Sequence, residues 1–271
     1  MKDNPLGKNT DFPTSYNPEL LYAIPRWPSR SLLDIDKKIP LHGFDYWRAY
    51  ELSWLNSRGK PQVGVAEFFI DAKSEYLIES KSFKLYLNSL NNEKYTSRKV
   101  LQELLAADLK PVTGSEVVIR IQSLDQAPLT CQQQTGKSID TEDIDVSSYI
   151  PENSLLNVSS ERVTDEILLS DLFRSRCPMT GQPDWASVVI KYSGPRINEG
   201  SLLAYLCSFR NHPGYHEECT ELIFRDLMVN CQPDNLLVGL SFTRRGGIDI
   251  NPFRSNYPIS PVDLLFRSVR Q

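Results

Sequence analysis

One order of elements runs twice along this chain. Residues 46–55 (YWRAYELSWL) are aromatic and roughly alternating, a strand pattern. Gly59-Lys60-Pro61 makes a turn and 63–70 (VGVAEFFI) reads as a second strand, so the pair predicts an antiparallel hairpin. Phe83, Leu85, Leu87 and Leu90 follow, then 100–109 (VLQELLAADL) at helical spacing and a strand at 116–121 (EVVIRI). Further on, 172–177 (LFRSRC) leads into Pro178 and a turn at Gly181-Gln182-Pro183. There 185–192 (WASVVIKY) is a strand, 201–209 and 218–230 have helical spacing, and 236–242 (LLVGLSF) is a closing strand. An offset of 122 residues lays Gly181 on Gly59 and Pro183 on Pro61. A chain that repeats strand, turn, strand, helices and strand in this way folds as two like α+β units of roughly 100 residues each.

The segments between fall into place around that repeat. Residues 1–42, with Pro5, Pro13, Pro18, Pro25 and Pro28, read as an arm wrapping a core. The first unit spans 43–122. A connector covers 123–164, with Gln132-Gln133-Gln134 and then Asp140, Asp143 and Asp145 among Ser and Thr. The second unit spans 165–271. At 40% hydrophobic and 24% charged residues the composition is that of a globular chain with a sizeable core, neither collagen-like nor disordered. No apolar run of about 18 residues offers a membrane span. Lys2, Asp3, Lys8, Asp11 and Glu19 occupy the region where a secretion signal needs an apolar stretch, so a cytoplasmic protein is expected. With 30 basic against 34 acidic residues, the net charge of −4 argues against a surface built for nucleic acid. Cys131, Cys177, Cys207, Cys219 and Cys231 are odd in number and contain no C-x-x-C pair, so free thiols are expected.

Aligned on the repeat, the halves differ in complementary ways. Cys177 and Asp184 stand where the first unit has Leu55 and Gln62. Glu79-Ser80-Lys81-Ser82-Phe83-Lys84 stands where the second has Ser201 to Leu206, all uncharged. One half brings a thiol and a carboxyl group, the other a carboxylate, hydroxyls and two ammonium groups. A composite site follows from that division, although drift between duplicated copies also produces differences.

Cys177 precedes Pro178, which holds its backbone out of the helical region. Arg174 and Arg176 are close enough in sequence to favour its thiolate, and Asp184 returns past Gly181 and Pro183 toward the thiol. That pair suits covalent catalysis, with sulfur adding to an electrophilic carbon while the carboxyl group handles protons. An apolar cysteine beside a turn-forming aspartate would give the same letters. His212, His216, Glu217, Glu218 and Cys219 are the densest titratable cluster. Their H-x-x-x-H-x-x-C spacing admits a zinc site with Cys177 as fourth ligand, but no second short Cys/His pair supports it. The alternatives are a helix opening at His216 and Glu217 that binds a polar heterocycle, or acids placed to suit a helix dipole. Glu79 to Lys84 combines donors and cations for a phosphate-bearing ligand, or is a helix start capped by Ser80. Arg244-Arg245-Gly246-Gly247 is suited to phosphate, or is only a turn. No dinucleotide-binding glycine fingerprint, P-loop or G-x-S-x-G elbow occurs.

Taken together, these motifs have a precedent. Cys177-Pro178-Met179-Thr180-Gly181-Gln182-Pro183-Asp184-Trp185 resembles the catalytic signature of the NADPH-dependent 7-cyano-7-deazaguanine reductases, the nitrile reductases of queuosine biosynthesis. Glu79 to Tyr86 looks like the family's defining motif, Phe209 to Glu217 its base-binding segment, and Arg245-Gly246-Gly247 its nucleotide-contacting turn. The similarity extends to the Leu6-Gly7-Lys8 opening, and the Glu-Ser-Lys motif preceding the cysteine in a separate half is similar to the long two-module subfamily.

The resemblance implies tandem tunnelling-fold (T-fold) units, antiparallel sheets with helices on one side, assembled as a homodimer. It implies Cys177 as nucleophile forming a thioimide and Asp184 as proton donor. Ile78, Glu79, Ser80, His216 and Glu217 would contact the deazaguanine. Ser80, Lys81, Arg245 and Gly246 would contact NADPH. No resident metal, direct nucleic-acid partner or membrane is implied. Two rivals remain: a zinc-dependent T-fold cyclohydrolase drawing on Cys177, His212, His216 or Cys219, and a noncatalytic purine-binding module with an inert cysteine.

Overall fold

A computed structural model describes residues 12–33, 35, 39–126, 135–261 and 268–271. Cys131, the glutamine run 132–134 and the Leu6-Gly7-Lys8 opening lie outside the described residues. The element order is β1 (Ala23–Pro25), α1 (Trp27–Leu33), β2 (His42–Leu55), β3 (Pro61–Asp71), β4 (Tyr76–Ile78), α2 (Ser80–Ser89), α3 (Arg98–Thr113) and β5 (Val117–Gln122). There follow β6 (Lys137–Ser138), β7 (Val158–Arg176), β8 (Pro183–Ile197), α4 (Glu199–Ser208), α5 (His216–Asn230), β9 (Asn235–Phe242) and β10 (Ile248–Ser255). Contacts divide the chain into two units. The first gathers residues 12–28, 45–126 and 244–249, and the second the remaining described residues. Both are mixed α+β with largely antiparallel sheets, as the repeat predicts.

In the first unit the strand order is β5-β3-β2, and β3 pairs antiparallel with β5 from Val65↔Gln122 to Ile70↔Val117. The helices close one side through an aromatic core. Phe83 of α2 packs edge-on against Trp47 of β2 at 5.4 Å and Phe68 of β3 at 5.0 Å between ring centroids. α3 presents Leu101, Leu105, Leu109 and Thr113, one buried position per turn. The Ser97 hydroxyl caps its start, and Gly114 at φ 71° ends it by donating its N–H to the Lys110 carbonyl. The arm is stitched to this unit, since β1 pairs with β4 and the Tyr22 carbonyl accepts from the Glu79 N–H at 2.9 Å.

In the second unit the order is β10-β9-β8-β7-β6, antiparallel except for the parallel pairing of the short β6 with β7. Phe173, Ala186, Val188, Ile190 and Tyr192 of the β7–β8 hairpin form one core with Leu202, Leu203 and Leu206 of α4 and Ile223, Phe224 and Leu227 of α5. The Tyr205 hydroxyl donates to Asp226 at 2.6 Å and ties α4 to α5 inside that core. Glu221, buried on α5, accepts from both Arg30 at 2.7 Å and Arg254 at 2.8 Å.

Two expectations need correction. β9 does not close the chain's strands, because β10 follows it. β10 is buried at every position although it contains Asp249, Asn251 and Arg254, which ion pairs and hydrogen bonds satisfy. The cap of α2 is not Ser80. It is Glu79, whose two carboxylate oxygens accept from the Lys81 N–H at 2.8 Å and the Ser82 N–H at 2.7 Å. Among the described residues, no helix is long and apolar enough to cross a membrane.

Candidate functional site

The β7–β8 hairpin sets the position of the cysteine. Ser175 faces Asp184 and Arg176 faces Pro183 across the pair. The ladder continues one step, with the Cys177 N–H donating to the Gln182 carbonyl at 2.8 Å, and the Gly181 N–H donating back to the Cys177 carbonyl at 2.9 Å. Residues directly opposite share a face, and so do residues two apart on one strand. Cys177 and Asp184 are therefore diagonal neighbours on the helix-facing side, a relation that spans roughly 7–8 Å between backbones. Burial agrees, since Ser175, Cys177 and Asp184 are buried while Arg176 and Pro183 are exposed.

The start of α5 completes the group. His216 Nε2 lies 3.5 Å from Asp184 Oδ2, and its imidazole is stacked on Phe242 of β9, 3.8 Å between centroids. Glu217 is buried beside it in the first turn of α5. The chain reaches α5 by pairing with the end of β7: the Arg176 N–H donates to the His212 carbonyl at 2.9 Å and the Gly214 N–H to the Arg176 carbonyl at 3.1 Å. Thiol, carboxyl and imidazole are thus gathered at one end of the second unit's sheet. Phe242, the surface beneath the imidazole, was not singled out in the sequence, where its place at the end of an apolar strand looked like core.

Arg174 and Arg176 do not serve the thiol as expected. They alternate with Ser175 and Cys177 along β7 and so leave the opposite face. The zinc ligands do not converge either: among the described residues, no three or more His, Cys, Asp or Glu side chains are grouped to hold a metal. Cys219 is fully buried, and burial raises its thiol far above the ordinary range. Burial pushes the Cys231 thiol up to about 12 and lowers the pKa of His212.

The first unit assembles the other residues. Ile78 ends β4, buried, and Glu79 caps α2 from a site where burial raises its carboxyl pKa, opposed by the Lys81 and Ser82 N–H bonds and the nearby Lys84 and Lys81 charges. Capping takes one acceptor position on each oxygen and leaves others. Ser80 and Lys81 follow, half-buried. The 244–247 turn belongs to this unit as well. At Gly246 (φ 57°) an added Cβ would stand 3.1 Å from Lys84 Cδ, so the turn lies against α2 and brings Gly246 beside Lys84 of the Glu79–Lys84 motif. The turn is fixed by Arg245 N–H to the Ile248 carbonyl and Tyr50 N–H to the Gly247 carbonyl, both 2.9 Å. The Glu51 carboxyl group packs on Gly247, whose backbone (φ 76°) lies in the left-handed region that favours glycine. Tyr50 and Glu51 frame the turn and were not anticipated, because they sit within an ordinary strand pattern.

Sequence comparison gives the chain's relatives. A family model described as "Nitrile reductase, 7-cyano-7-deazaguanine-reductase N-term" matches residues 12–121, and one described as "QueF-like protein" matches 183–259. A protein of Burkholderia orbicola (strain MC0-3) named NADPH-dependent 7-cyano-7-deazaguanine reductase is 48% identical over 258 residues, 94% of each chain. Proteins of the same name from Burkholderia cenocepacia (strain HI2424) and Burkholderia vietnamiensis are each 47% identical, over 258 and 262 residues, covering 94% and 96% of each chain. This chain belongs to the 7-cyano-7-deazaguanine reductase family. Membership accounts for the two α+β units as tandem T-fold modules, the first family model ending within β5 and the second beginning at β8. Neither family match includes Cys177, so the case for that residue stands on the hairpin geometry and on likeness to the family's signature.

Proposed function

We propose that this chain reduces the nitrile of 7-cyano-7-deazaguanine to the 7-aminomethyl product at the expense of NADPH, through a covalent bond to Cys177, in the cytoplasm as a homodimer. The observation that carries the mechanism is the shared face of Cys177 and Asp184 with His216 3.5 Å from the carboxylate. The Cys177 proton passes to Asp184 and the sulfur adds to the nitrile carbon, forming one C–S bond as one C–N π bond breaks. Asp184 then gives its proton to the nitrile nitrogen, leaving a neutral thioimide. Later the C–S bond breaks, the electron pair returns to sulfur, and Cys177 is regenerated. NADPH, when bound, supplies hydride, and because nitrile to primary amine is a four-electron change each turnover consumes two.

The residues fit such a cofactor. Ser80, Lys81, Arg245 and Gly246 would hold it, with cationic donors beside a glycine that leaves room for phosphate. Ile78, Glu79, Ser80, His216 and Glu217 are the proposed contacts to the base. Carboxylates there would accept from its amino and ring N–H groups, so a heterocycle without those donors would bind more weakly.

Intact mass spectrometry of the protein incubated with the cyano-deazaguanine alone tests the proposal. Nitrile addition expels nothing, so the expected shift equals the whole mass of the substrate, followed on adding NADPH by oxidation of two equivalents per amine. No adduct and no NADPH oxidation would favour the purine-binding module, and activity that depends on stoichiometric zinc would favour the cyclohydrolase. Sedimentation of the purified protein tests the homodimer.

A further inference from the structure

The face of the β7–β8 hairpin turned away from Cys177 carries its own cluster. The guanidinium carbon of Arg174 lies 5.5 Å from the ring centroid of Trp185, its partner across the hairpin, and that of Arg210 lies 5.7 Å from the same ring. Arg176, two residues along from Arg174, donates from Nε to the Gly181 carbonyl at 3.2 Å. Arg270 donates to the Asp171 carbonyl at 2.8 Å, while the Asp171 carboxylate accepts from Ser187. Among the described residues no carboxylate forms an ion pair with Arg174, Arg176 or Arg210. The Arg174 Nε is buried without a hydrogen-bond partner among the described residues.

This arrangement runs against the chain's overall charge of −4. Like charges held close together repel, and an indole within reach of both guanidiniums offsets part of that repulsion. All three cations are arginines, whose planar forks match the oxygens of a phosphate and donate in pairs. A carboxylate would balance only one of them, whereas a phosphate ester carries more charge and more acceptor oxygens.

We propose that Arg174 and Arg210 on Trp185, with Arg176 two residues along the same strand face, form an oxyanion subsite for a phosphate ester, made of residues different from the Lys81 and Arg245 set. The inference does not rest on the nitrile-reductase reading. The phosphates of a dinucleotide and those of a free phosphorylated metabolite share the chemistry the subsite recognises.

Calorimetric titration of the full-length protein at low salt with inorganic pyrophosphate and with 2′,5′-ADP tests it, on the wild type, Arg174→Ala, Arg210→Ala, Arg174→Lys and Arg245→Ala. Pyrophosphate is expected to bind the wild type, and to bind Arg174→Ala and Arg210→Ala about tenfold or more weakly at this subsite, whereas Arg245→Ala removes only the binding owed to the Lys81 and Arg245 set. Arg174→Lys keeps the charge and loses the fork, so a several-fold loss with an unchanged melting curve guards against a misfolded alanine variant. If Arg174→Ala weakens 2′,5′-ADP in parallel, the source is the dinucleotide; if only pyrophosphate weakens, it is a free phosphate compound. No pyrophosphate binding at millimolar concentration, or equal binding by wild type and the Arg174 and Arg210 variants, overturns the proposal.

Discussion

His216 and Asp184 meet at 3.5 Å although one opens α5 and the other opens β8, and the stack of His216 on Phe242 holds the imidazole in that place. A carboxyl group flanked by a thiol on its own sheet face and an imidazole from the neighbouring helix has a proton partner on each side. Replacing His216 by Phe keeps a ring on Phe242 and removes Nε2. The rate of covalent adduct formation should fall about tenfold or more while the melting temperature stays nearly constant. A wild-type adduct rate would remove His216 from the proton path.

The nucleophile and its acid separate in the same assay. Cys177→Ala should form no adduct and turn over no substrate, and should change stability by less than about 1 kcal/mol because only one small atom is lost at a turn. Asp184→Asn keeps the volume and loses the titrating oxygen. It should bind substrate with little change and reduce turnover by about 100-fold. Equal loss of binding and turnover in Asp184→Asn would make it a binding residue instead.

The two glycines of the 244–247 turn answer different questions. An alanine Cβ at Gly247 would meet only the carboxyl end of the exposed Glu51 side chain, which can swing aside, so the left-handed backbone (φ 76°) sets the cost and Gly247→Ala should destabilise the protein by about 1 kcal/mol in urea unfolding. At Gly246 the added carbon meets only the flexible end of Lys84 at 3.1 Å, and the left-handed backbone (φ 57°) costs about 1 kcal/mol. Gly246→Ala is therefore expected to fold and to raise the KM for NADPH with little change in kcat. An unchanged KM would take the turn out of cofactor binding.

Much of this was legible because it is local. The strands β2, β3, β5, β8 and β9 and the helices α3, α4 and α5 announce themselves by alternation or by apolar positions recurring each turn. Cys177 and Asp184 were legible because a hairpin turn joins them. β7 was legible only at its end, 172–177, since the first half of VSSERVTDEILLSDLFRSR is polar and largely exposed, and pairing with β8 rather than its own pattern makes it a strand. β10 was hidden by Asp249, Asn251 and Arg254, charges and amides that only distant partners such as Arg48 and Glu221 allow to be buried. The role expected of Arg174 and Arg176 failed for a simple reason: proximity in sequence along a strand alternates faces.

His212 offers a test that needs no substrate. Burial lowers its pKa below the ordinary value of 6.5, so the unfolded chain binds more protons than the native one at and below that pH. Its contribution to stability is then fully present above the unfolded value and is lost as pH falls through the folded one, at no more than about 1.4 kcal/mol per pH unit. The carboxyls of Glu79 and Asp226 act in the opposite sense: burial raises them, so their contribution is present at low pH and lost as pH rises through the folded values. Comparing wild type with His212→Asn cancels those shared terms, and the backbone bonds of residue 212 to Phe209 and Arg176 survive the change. Urea unfolding between about pH 7 and pH 5 should show the wild type losing stability relative to the variant as acid is added. Parallel curves would mean that the imidazole is as free to charge in the native protein as in the unfolded chain.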